Sequence, residues 1–473
     1  MSVTRRDFLK AGTAAALAAS GPRASGQVKP VALHMGAFDQ RLDPASPVRT
    51  RVWGFNAALP GPVLRYRKGE RARIVVANQL PQETTVHWHG VRVPNAMDGV
   101  PHVTQHPIAP GARFEYALSF PDSGTFWYHP HQNSFEQVPR GLYGALIVEE
   151  EKPIEVDRDE LWVLSDMKLA PDGQQVEDFG RILEVATDGR IGNQILLNGT
   201  AAGSGRATAV RSGERLRLRL INAACARGFR LAFAGHRPLV IAYDGQGTTP
   251  HPAPTAGGLV LGPGMRADLV IDCMQRPGES FAVSDVDRGT NVIARLAYSQ
   301  ERPLRGLPSE APVALAPNQL PEPDLRSATR HEIVFQGGLR GAPLIGLIDG
   351  KPTTIQELMQ KHALAWTMNR TAQHEHALMH EPFLRLKRGE HVVLRMVNET
   401  GYWHPMHLHG HFFRVVALGD KPTLRRDWRD TAIMAPRGSL DIAFVADNPG
   451  VWMFHCHILD HAVGGMMGTI AVE

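Results

Sequence analysis

Three stretches of this chain repeat one local pattern, and that repetition limits the available folds more than any other feature. Each stretch reads as a short strand, a Gly-Glu turn, a second strand and then an asparagine. The three are VLRYRKGERARIVVANQL (63–80), AVRSGERLRLRLINA (209–223) and LRLKRGEHVVLRMVNET (384–400). Their spacing of roughly 140–180 residues is far longer than a solenoid period, so the pattern predicts three copies of one β domain.

Length and composition agree with a multidomain β protein. The chain has 473 residues, too many for one ordinary core, and its 46 glycines and 35 prolines favour a turn-rich, all-β fold. We predict domains over 27–152, 153–325 and 326–473, with a proline-rich, extended linker over 299–325. One helix is expected over 353–364, where Thr354 and Glu357 form a capping-box pattern.

The first 26 residues predict export. They combine a charged start containing TRRDFLK, a short apolar stretch and small residues near a cleavage point, a pattern that resembles a twin-arginine (Tat) signal peptide. We therefore expect the Tat export machinery to carry the chain to the periplasm, as a monomer with no stable membrane insertion.

Charge gives little support for nucleic-acid binding. The net charge of +4 owes much to residues 1–26, without which the chain has 47 basic and 46 acidic side chains. The local run ERLRLRL (214–220) alternates charge with leucine, so we expect its charged side chains to form the solvated face of a strand.

The stretch HCHILDHAVGGMM (455–467) places one of only three cysteines between two histidines. Side chains alternate across a strand, so His455 and His457 should share one face and Cys456 should point to the other. A cysteine with two histidines and a distant methionine is the ligand set of a blue-copper electron-transfer site. Cys456 and His461 can supply two of these ligands, with Met466 as the axial one, which predicts copper here.

Three further histidine clusters use closely spaced pairs. They are HWHG (His87 and His89), HPH (His129 and His131) and HPMHLHGH (His404, His407, His409 and His411). Each His-X-His pair puts two imidazoles on one strand face, which suits a shared multinuclear metal site. The alternative is that these are unrelated core or surface histidines. We expect that simpler role only for His411, as a packed or supporting residue.

Together the four motifs, in this order and spacing, resemble a three-domain multicopper oxidase of the bacterial laccase-like group. VWGFNAALPGPVLRYRKGE (52–70) and NQILLNGT (193–200) resemble recurring segments of the same family. The resemblance covers almost the whole exported chain. It implies three cupredoxin-like domains, each a Greek-key β-sandwich or barrel, and four copper ions, of which one is type 1, one type 2 and two type 3.

The resemblance also assigns a role to each motif position. It implies a type 1 copper bound by His404, Cys456 and His461, with Met466 axial, and a type 2 copper bound by His87 and His407. It implies one type 3 ion bound by His89, His129 and His457, and the other by His131, His409 and His455.

This ligand set implies a four-electron oxidase. Dioxygen takes four electrons to form water, and four coppers can hold them. Electrons would enter at the Cys456 site and pass along the backbone to His455 and His457, since neighbouring residues on a strand lie about 3.3 Å apart. Motifs from both ends of the chain contribute, so the cluster should lie between domains 1 and 3, with domain 2 as a spacer.

Two acidic residues are candidate catalytic groups. The resemblance implies that Asp98, in MDGVP, is a proton donor, since relatives carry an acid at this position. The alternative is an aspartate that only shapes an Asp-Gly turn. Asp460 lies between His457 and His461, where it is either a second proton relay or a residue that orients a ligand imidazole.

The reductant is less constrained. Relatives oxidise phenols and aromatic amines, or cuprous, ferrous or manganous ions. Region 340–381 is not methionine-rich, and it either binds a substrate metal or only forms a lid. Ala462 stands where several metal-oxidising relatives carry a carboxylate, so we favour a small organic reductant.

Three alternatives stay open. One is a metallo-oxidase in copper tolerance, and another is a non-catalytic cell-envelope factor of the same fold. A copper nitrite reductase is a more distant rival. Cys225 and Cys273 either form a disulfide or remain small buried thiols.

Overall fold

The computed structural model describes residues 30–203, 205–341, 345–348, 350–372 and 381–473. The predicted signal peptide, residues 1–26, lies outside the described residues. Strands dominate the described chain, and the all-β prediction is confirmed. No helix within the described ranges is long and apolar enough to cross a membrane.

The first domain contains two packed four-stranded sheets. Its strands are β1 (Val31–Gln40), β2 (Thr50–Phe55), β3 (Gly61–Arg67), β4 (Arg71–Asn78), β5 (His87–His89), β6 (Arg113–Ser119), β7 (Gly124–His129) and β8 (Gly144–Glu149). Their sheet orders are β2-β1-β4-β6 and β3-β8-β7-β5. A 3-10 helix covers Asn95–Met97, and helix α1 covers Ser134–Gln137.

The second domain pairs a seven-stranded sheet with a five-stranded sheet. Its strands are β9 (Arg158–Met167), β10 (Gln194–Leu197), β11 (Thr200–Ala201), β12 (Ala207–Val210), β13 (Glu214–Asn222), β14 (Phe229–Phe233), β15 (Leu239–Tyr243), β16 (Gln246–Pro252), β17 (Leu259–Leu261), β18 (Arg266–Cys273), β19 (Ser280–Asp285) and β20 (Asn291–Tyr298). Their orders are β11-β10-β9-β13-β18-β15-β16 and β12-β20-β19-β14-β17. Helix α2 covers Ile182–Val185.

The third domain repeats the two-sheet plan. Its strands are β21 (Thr329–Gly337), β22 (Ile345–Ile348), β23 (Lys351–Thr354), β24 (Trp366–Met368), β25 (Leu384–Leu386), β26 (His391–Asn398), β27 (His404–Leu408), β28 (Phe413–Leu418), β29 (Lys421–Pro422), β30 (Trp428–Arg429), β31 (Thr431–Met434), β32 (Ser439–Val445), β33 (Gly450–Cys456) and β34 (Met467–Val472). The main sheets run β24-β21-β26-β32-β28-β29, with β30 beside β28, and β25-β34-β33-β27-β31, while β22 and β23 form a separate hairpin. Helix α3 covers Ile355–His362 and α4 covers Leu459–Val463. The capping box at Thr354 is present as predicted.

The repeated sequence pattern corresponds to one structural unit used three times. In each domain its second strand pairs in parallel with the first strand of that domain, as β4 with β1, β13 with β9 and β26 with β21. Its first strand pairs in parallel with the last strand of the domain, as β3 with β8, β12 with β20 and β25 with β34. The unit therefore joins the two sheets of every sandwich.

Two polar residues of the unit explain why the pattern recurs. Glu70, Glu214 and Glu390 each accept a hydrogen bond from the backbone N–H three residues earlier, which closes the turn. The asparagines Asn78, Asn222 and Asn398 are buried, and each donates to two backbone carbonyls and accepts from the N–H two residues later. Such bonds satisfy buried backbone groups where a strand ends.

The expectation for ERLRLRL was wrong. Arg215, Arg217 and Arg219 are at most 4% exposed, because the strand is covered by domain 1 and, at Arg215, by the linker carbonyls of Ser309 and Ala311. Arg217 pairs with Glu150 and with Asp268 at 2.7 and 2.6 Å, and Arg219 donates to the Thr125 hydroxyl at 3.0 Å. Alternation alone does not distinguish water from a charged partner on the polar face.

The linker and the domain boundaries follow the strand pattern. No helix or strand is assigned between β20 and β21 in the described chain, which includes the proline-rich 299–325. The strands of the three sandwiches span 31–149, 158–298 and 329–472. The boundaries at 152 and 325 stay predictions.

All three cysteines are free thiols, so Cys225 and Cys273 are not bridged.

Candidate metal centres

Cys456, His404 and His461 meet inside the third domain. Cys456 ends β33, His404 begins the neighbouring β27, and His461 lies on α4 directly after them. The Cys456 Sγ lies 3.6 Å from His404 Nδ1 and 3.7 Å from His461 Nδ1, and the two Nδ1 atoms are 3.1 Å apart. All three residues are fully buried.

Hydrogen bonds on the far side of each ring define which nitrogen is free. His461 Nε2 donates to the Thr187 carbonyl at 2.6 Å, and His404 Nε2 lies 2.8 Å from the Thr400 hydroxyl. A carbonyl only accepts, so the lone pair of His461 must be on Nδ1, which faces the sulfur. The Thr400 hydroxyl has the Asn398 amide oxygen at 2.8 Å as an acceptor for its own proton, which leaves its lone pairs free to accept from His404.

This donor set fits a metal ion. Two lone pairs facing each other at 3.1 Å are unfavourable without a cation between them. A point at roughly 2 Å from the sulfur and both nitrogens exists inside the triangle, close to ordinary metal–nitrogen and metal–sulfur distances. Burial lowers the pKa of His461 to about 3 and raises the pKa of the Cys456 thiol. The imidazole is therefore neutral, and metal binding must displace the thiol proton.

Eight histidines from the first and third domains form a second cluster. Three groups have ring nitrogens within 4.8 Å of one another. They are His87, His407 and His409; His131, His409 and His455; and His87, His89 and His129. His457 completes the cluster, with its ring centroid 5.0 Å from that of His89 and 5.3 Å from that of His129. Every member is at most 4% exposed.

The backbone orients four of these rings. The Nδ1 atoms of His87, His129, His407 and His455 donate to the carbonyls of Asp98, Pro130, Asp430 and Cys456, at 2.8 to 2.9 Å. Each Nε2 must therefore carry the lone pair. The histidine tautomers are set by the chain before any ligand binds.

The cluster also fits metal binding. Within the described residues, no hydrogen-bond partner is found for Nε2 of His87, His129 and His407, Nδ1 of His89 and His131, or either nitrogen of His457. Buried polar atoms without partners are costly and rare in folded proteins. Burial lowers the pKa of His89, His129, His131, His407, His409 and His457 well below the ordinary value, and that of His455 to about 4. These rings are neutral, with lone pairs available.

The two centres lie on opposite sides of β33, as the alternation of side chains predicts. Cys456 points to His404 and His461, whereas His455 Nε2 lies 3.1 Å from His409 Nε2 and 3.4 Å from His131 Nε2. One cysteine residue thus connects both centres through its own backbone.

Asp98 lies between two predicted ligands of different ions. Its Oδ2 accepts from His409 Nδ1 at 2.8 Å, its carbonyl accepts from His87 Nδ1, and its side chain is 1% exposed. This buried carboxylate next to the cluster is more than a turn aspartate.

The Asp460 side chain faces domain 2. The Asp460 carboxylate accepts from Arg190 N at 2.8 Å and lies 3.6 Å from Cys225 Sγ, both in domain 2, and its pKa is raised to about 6 by burial. Its role at an imidazole stays a prediction.

Met466 is fully buried, and its backbone bonds to both Cys456 and His461. His411 bonds to the His409 carbonyl and Asn448 N, a supporting position.

Sequence reasoning missed an ion pair that joins all three domains at the cluster. Asp430 accepts from Arg266 of domain 2 at 2.7 and 2.6 Å and from His89 Nε2 of domain 1 at 3.2 Å. The neighbouring Thr431 hydroxyl lies 3.2 Å from both His89 Nε2 and His407 Nδ1. Domain 2 is therefore more than a spacer. No local motif marks this pair, because its residues are 164 positions apart.

Comparison with known proteins agrees with this geometry. Three multicopper oxidase family models match residues 39–153, 163–300 and 348–473. Multicopper oxidase MmcO of Mycobacterium tuberculosis is 29% identical, over 98% of this chain and 95% of that protein.

Solved structures give the same result. A multicopper oxidase from Pseudomonas thermotolerans is 30% identical with a TM-score of 0.82, over 95% of this chain and all of that chain. One from Pseudomonas parafulva is 34% identical with a TM-score of 0.76, over 94% of this chain and all of that chain. Three matched domains, two buried donor clusters and this similarity place the chain in the multicopper oxidase family, whose members bind copper and use dioxygen to oxidise a reductant.

Proposed function

We propose that this oxidase is laccase-like and takes single electrons from phenols or aromatic amines at the Cys456 site. Four of these electrons reduce one dioxygen to two waters at the histidine cluster. The observation that carries the proposal is the position of Cys456, which faces one buried donor set while its two neighbours belong to another.

We assign four copper ions to these donors. The type 1 ion would be held by His404, Cys456, His461 and Met466, and the type 2 ion by His87 and His407. The type 3 ions take His89, His129 and His457, and His131, His409 and His455. The grouping of His131, His409 and His455 within 4.8 Å supports the last set. Bound copper would supply one-electron transfer and a site for dioxygen.

The chain itself provides a short connection between the centres. His455 and His457 are covalent neighbours of Cys456, and the His455 ring also donates to the Cys456 carbonyl at 2.9 Å. That hydrogen bond shortens the route from the sulfur to the imidazole. Every residue of this connection is fully buried, which excludes water and limits reorganisation.

Asp98 is our candidate for proton delivery. Its carboxylate holds His409 and its carbonyl holds His87, so it contacts rings assigned to two different ions. Water formation requires four protons, and a buried carboxylate at hydrogen-bond distance is a suitable relay.

We also propose Tat-dependent export to the periplasm, on the evidence of TRRDFLK and the apolar stretch within residues 1–26. The domain boundaries near 152 and 325 and the monomeric state belong to the same proposal.

Copper content and oxygen uptake test the function. Copper-loaded protein should contain four coppers per chain and show the intense visible band of a copper thiolate. It should consume oxygen with a phenol and with an aromatic amine. Faster uptake with cuprous ion than with either organic donor would favour the metallo-oxidase alternative. Colourless, copper-loaded protein that consumes no oxygen would contradict both and favour the non-catalytic alternative.

A further inference from the structure

The Cys456 site is covered by domain 2. Residues 182–190, which we call the cover segment, cross above His461, and the Thr187 carbonyl accepts its Nε2 proton at 2.6 Å. Trp366 closes the adjacent side, with its ring 4.4 Å from that of His461 and its Nε1 donating to the Val185 carbonyl at 2.7 Å. His404, His461 and Trp366 are all fully buried.

This cover prevents direct contact between a donor and the imidazoles. Thr187 and Asp188 are half-buried, so solvent reaches the cover segment at the residue whose carbonyl bonds to His461. The Thr187 carbonyl and its hydrogen bond to His461 offer an electron from outside a short route to the ring. The donor therefore interacts with the surface of the cover segment.

The surface around Thr187 carries excess positive charge. Asp188 lies 3.6 Å from Arg288 and 4.0 Å from Arg340, whose side chains are 44% and 65% exposed. Arg340 also lies over the Tyr402 ring at 5.1 Å. The exposed Arg437 donates to the Arg340 carbonyl at 3.0 Å. Two guanidinium groups thus lie beside the one carboxylate of Asp188, and a third bonds to the backbone of Arg340.

Two exposed leucines lie beside these charges. Leu183 and Leu339 are 53% and 51% exposed, so both offer apolar surface to a donor. Leu183 belongs to the cover segment, and its carbonyl accepts from the Thr187 hydroxyl. Leu339 is attached to the segment by a hydrogen bond from its N–H to the Ala186 carbonyl at 2.9 Å. The patch combines apolar contact with positive charge.

We propose that this patch binds aromatic anions, specifically phenols that carry a carboxylate, and that Arg340 is a specificity-determining residue. The leucines contact the ring, Arg288 and Arg340 attract the carboxylate, and the electron enters through the Thr187 peptide. Each donor loses one electron and its phenolic proton and becomes a phenoxyl radical. Four donors and one dioxygen give four radicals and two waters. The inference rests on the proposed function.

The test uses a matched pair of donors, 4-hydroxy-3,5-dimethoxybenzoate and its methyl ester. Stopped-flow bleaching of the visible band under anaerobic conditions measures reduction of the Cys456 site alone. Arg340→Glu should lower the second-order rate for the acid on the order of tenfold and leave the ester within twofold, since opposite charge steers encounter. Higher ionic strength should slow the acid in the unmodified protein. Arg326→Glu, which makes the same charge change at a residue that is 94% exposed and directly follows the linker, is the control.

The outcomes separate the inference from the proposed function. Equal loss for acid and ester in Arg340→Glu, or no loss for either, overturns the inference while the function stands. Absence of the visible band in copper-loaded protein overturns both. The cover has an independent readout. When the protein is transferred to deuterated buffer, the His461 Nε2 proton should exchange slowly, and proton ENDOR spectra of the oxidised site detect that proton. Complete exchange within seconds of mixing would contradict a closed cover.

Discussion

Replacing Arg266 by methionine tests how strongly domain 2 supports the histidine cluster. Arg266 is fully buried and donates to the carbonyls of Thr125, Asp244 and Gly264 at 3.0 to 3.2 Å. Its two bonds to Asp430 are 2.7 and 2.6 Å long. Methionine fills much of the volume but leaves the buried Asp430 carboxylate without its cation.

The expected cost follows from that unpaired charge. Removing one partner of a buried ion pair costs about 3–5 kcal/mol, and two charged hydrogen bonds at about 1.5–3 kcal/mol each give a similar value. We expect the copper-free variant to lose about 3–5 kcal/mol of unfolding free energy near pH 8. Urea unfolding, followed by tryptophan fluorescence and far-UV circular dichroism, measures it.

The pH dependence has a defined sign. Burial and the nearby Asp430 raise the pKa of Asp244 even with Arg266 present, and loss of the guanidinium raises it further. A carboxyl whose pKa is higher in the folded protein stabilises the fold at low pH and loses that contribution as pH rises through the folded pKa. The deficit of the variant should therefore be smaller at pH 5 than at pH 8.

A matched control separates burial from the loss of an arginine. Arg73 makes bonds of 2.7 and 2.8 Å to Glu115 on the exposed face of the first domain. Arg73→Met should leave stability nearly unchanged, because solvent screens an exposed pair. Equal effects of the two substitutions at pH 8, or a larger Arg266→Met deficit at pH 5, would refute the reasoning.

Four further outcomes are expected. Cys456→Ser should abolish the visible band and lower the copper content from four to three per chain; an unchanged band would contradict the assignment of the sulfur. Asp98→Asn should slow reoxidation by dioxygen on the order of 100-fold while the band stays intact, and an unchanged rate by rapid mixing would exclude the relay. Gly264→Ala should reduce copper content, since a Cβ there would lie 2.7 Å from the His457 ring, whereas Gly69→Ala, with a similar positive φ but open space, should retain copper. Copper-free protein should lose unfolding free energy as pH falls below about 6.5, because buried imidazoles such as His461 have lower pKa values when folded, and a urea unfolding midpoint that is the same at pH 7 and pH 5 would contradict this.

Much of the fold could be predicted because its signals are local. The Glu of each Gly-Glu turn bonds three residues back, and each asparagine accepts from the N–H two residues on, so the same short pattern gives the same unit three times. The placement of the two metal centres on opposite sides of β33 could be predicted in the same way, because successive side chains at His455, Cys456 and His457 alternate between the two sides.

The remaining contacts depend on distant chain segments. Nothing near Thr187 in sequence indicates that its carbonyl would bond to His461, 274 residues away. The same holds for Arg217, whose guanidinium pairs with Glu150 and Asp268 instead of contacting water. Local periodicity predicts which side of a strand is polar, but only the tertiary structure decides what that side meets.

The separation of the ligands along the chain also sets the order in which the protein can be completed. His131 and His455 are 324 residues apart, and the Cys456 site needs His461 as well. During synthesis the first two sandwiches can form while the ribosome is still translating the third. The histidine cluster cannot close before His457 has been synthesised, and the Cys456 site cannot close before His461. A chain released before these residues would therefore carry two folded sandwiches and half-built copper pockets.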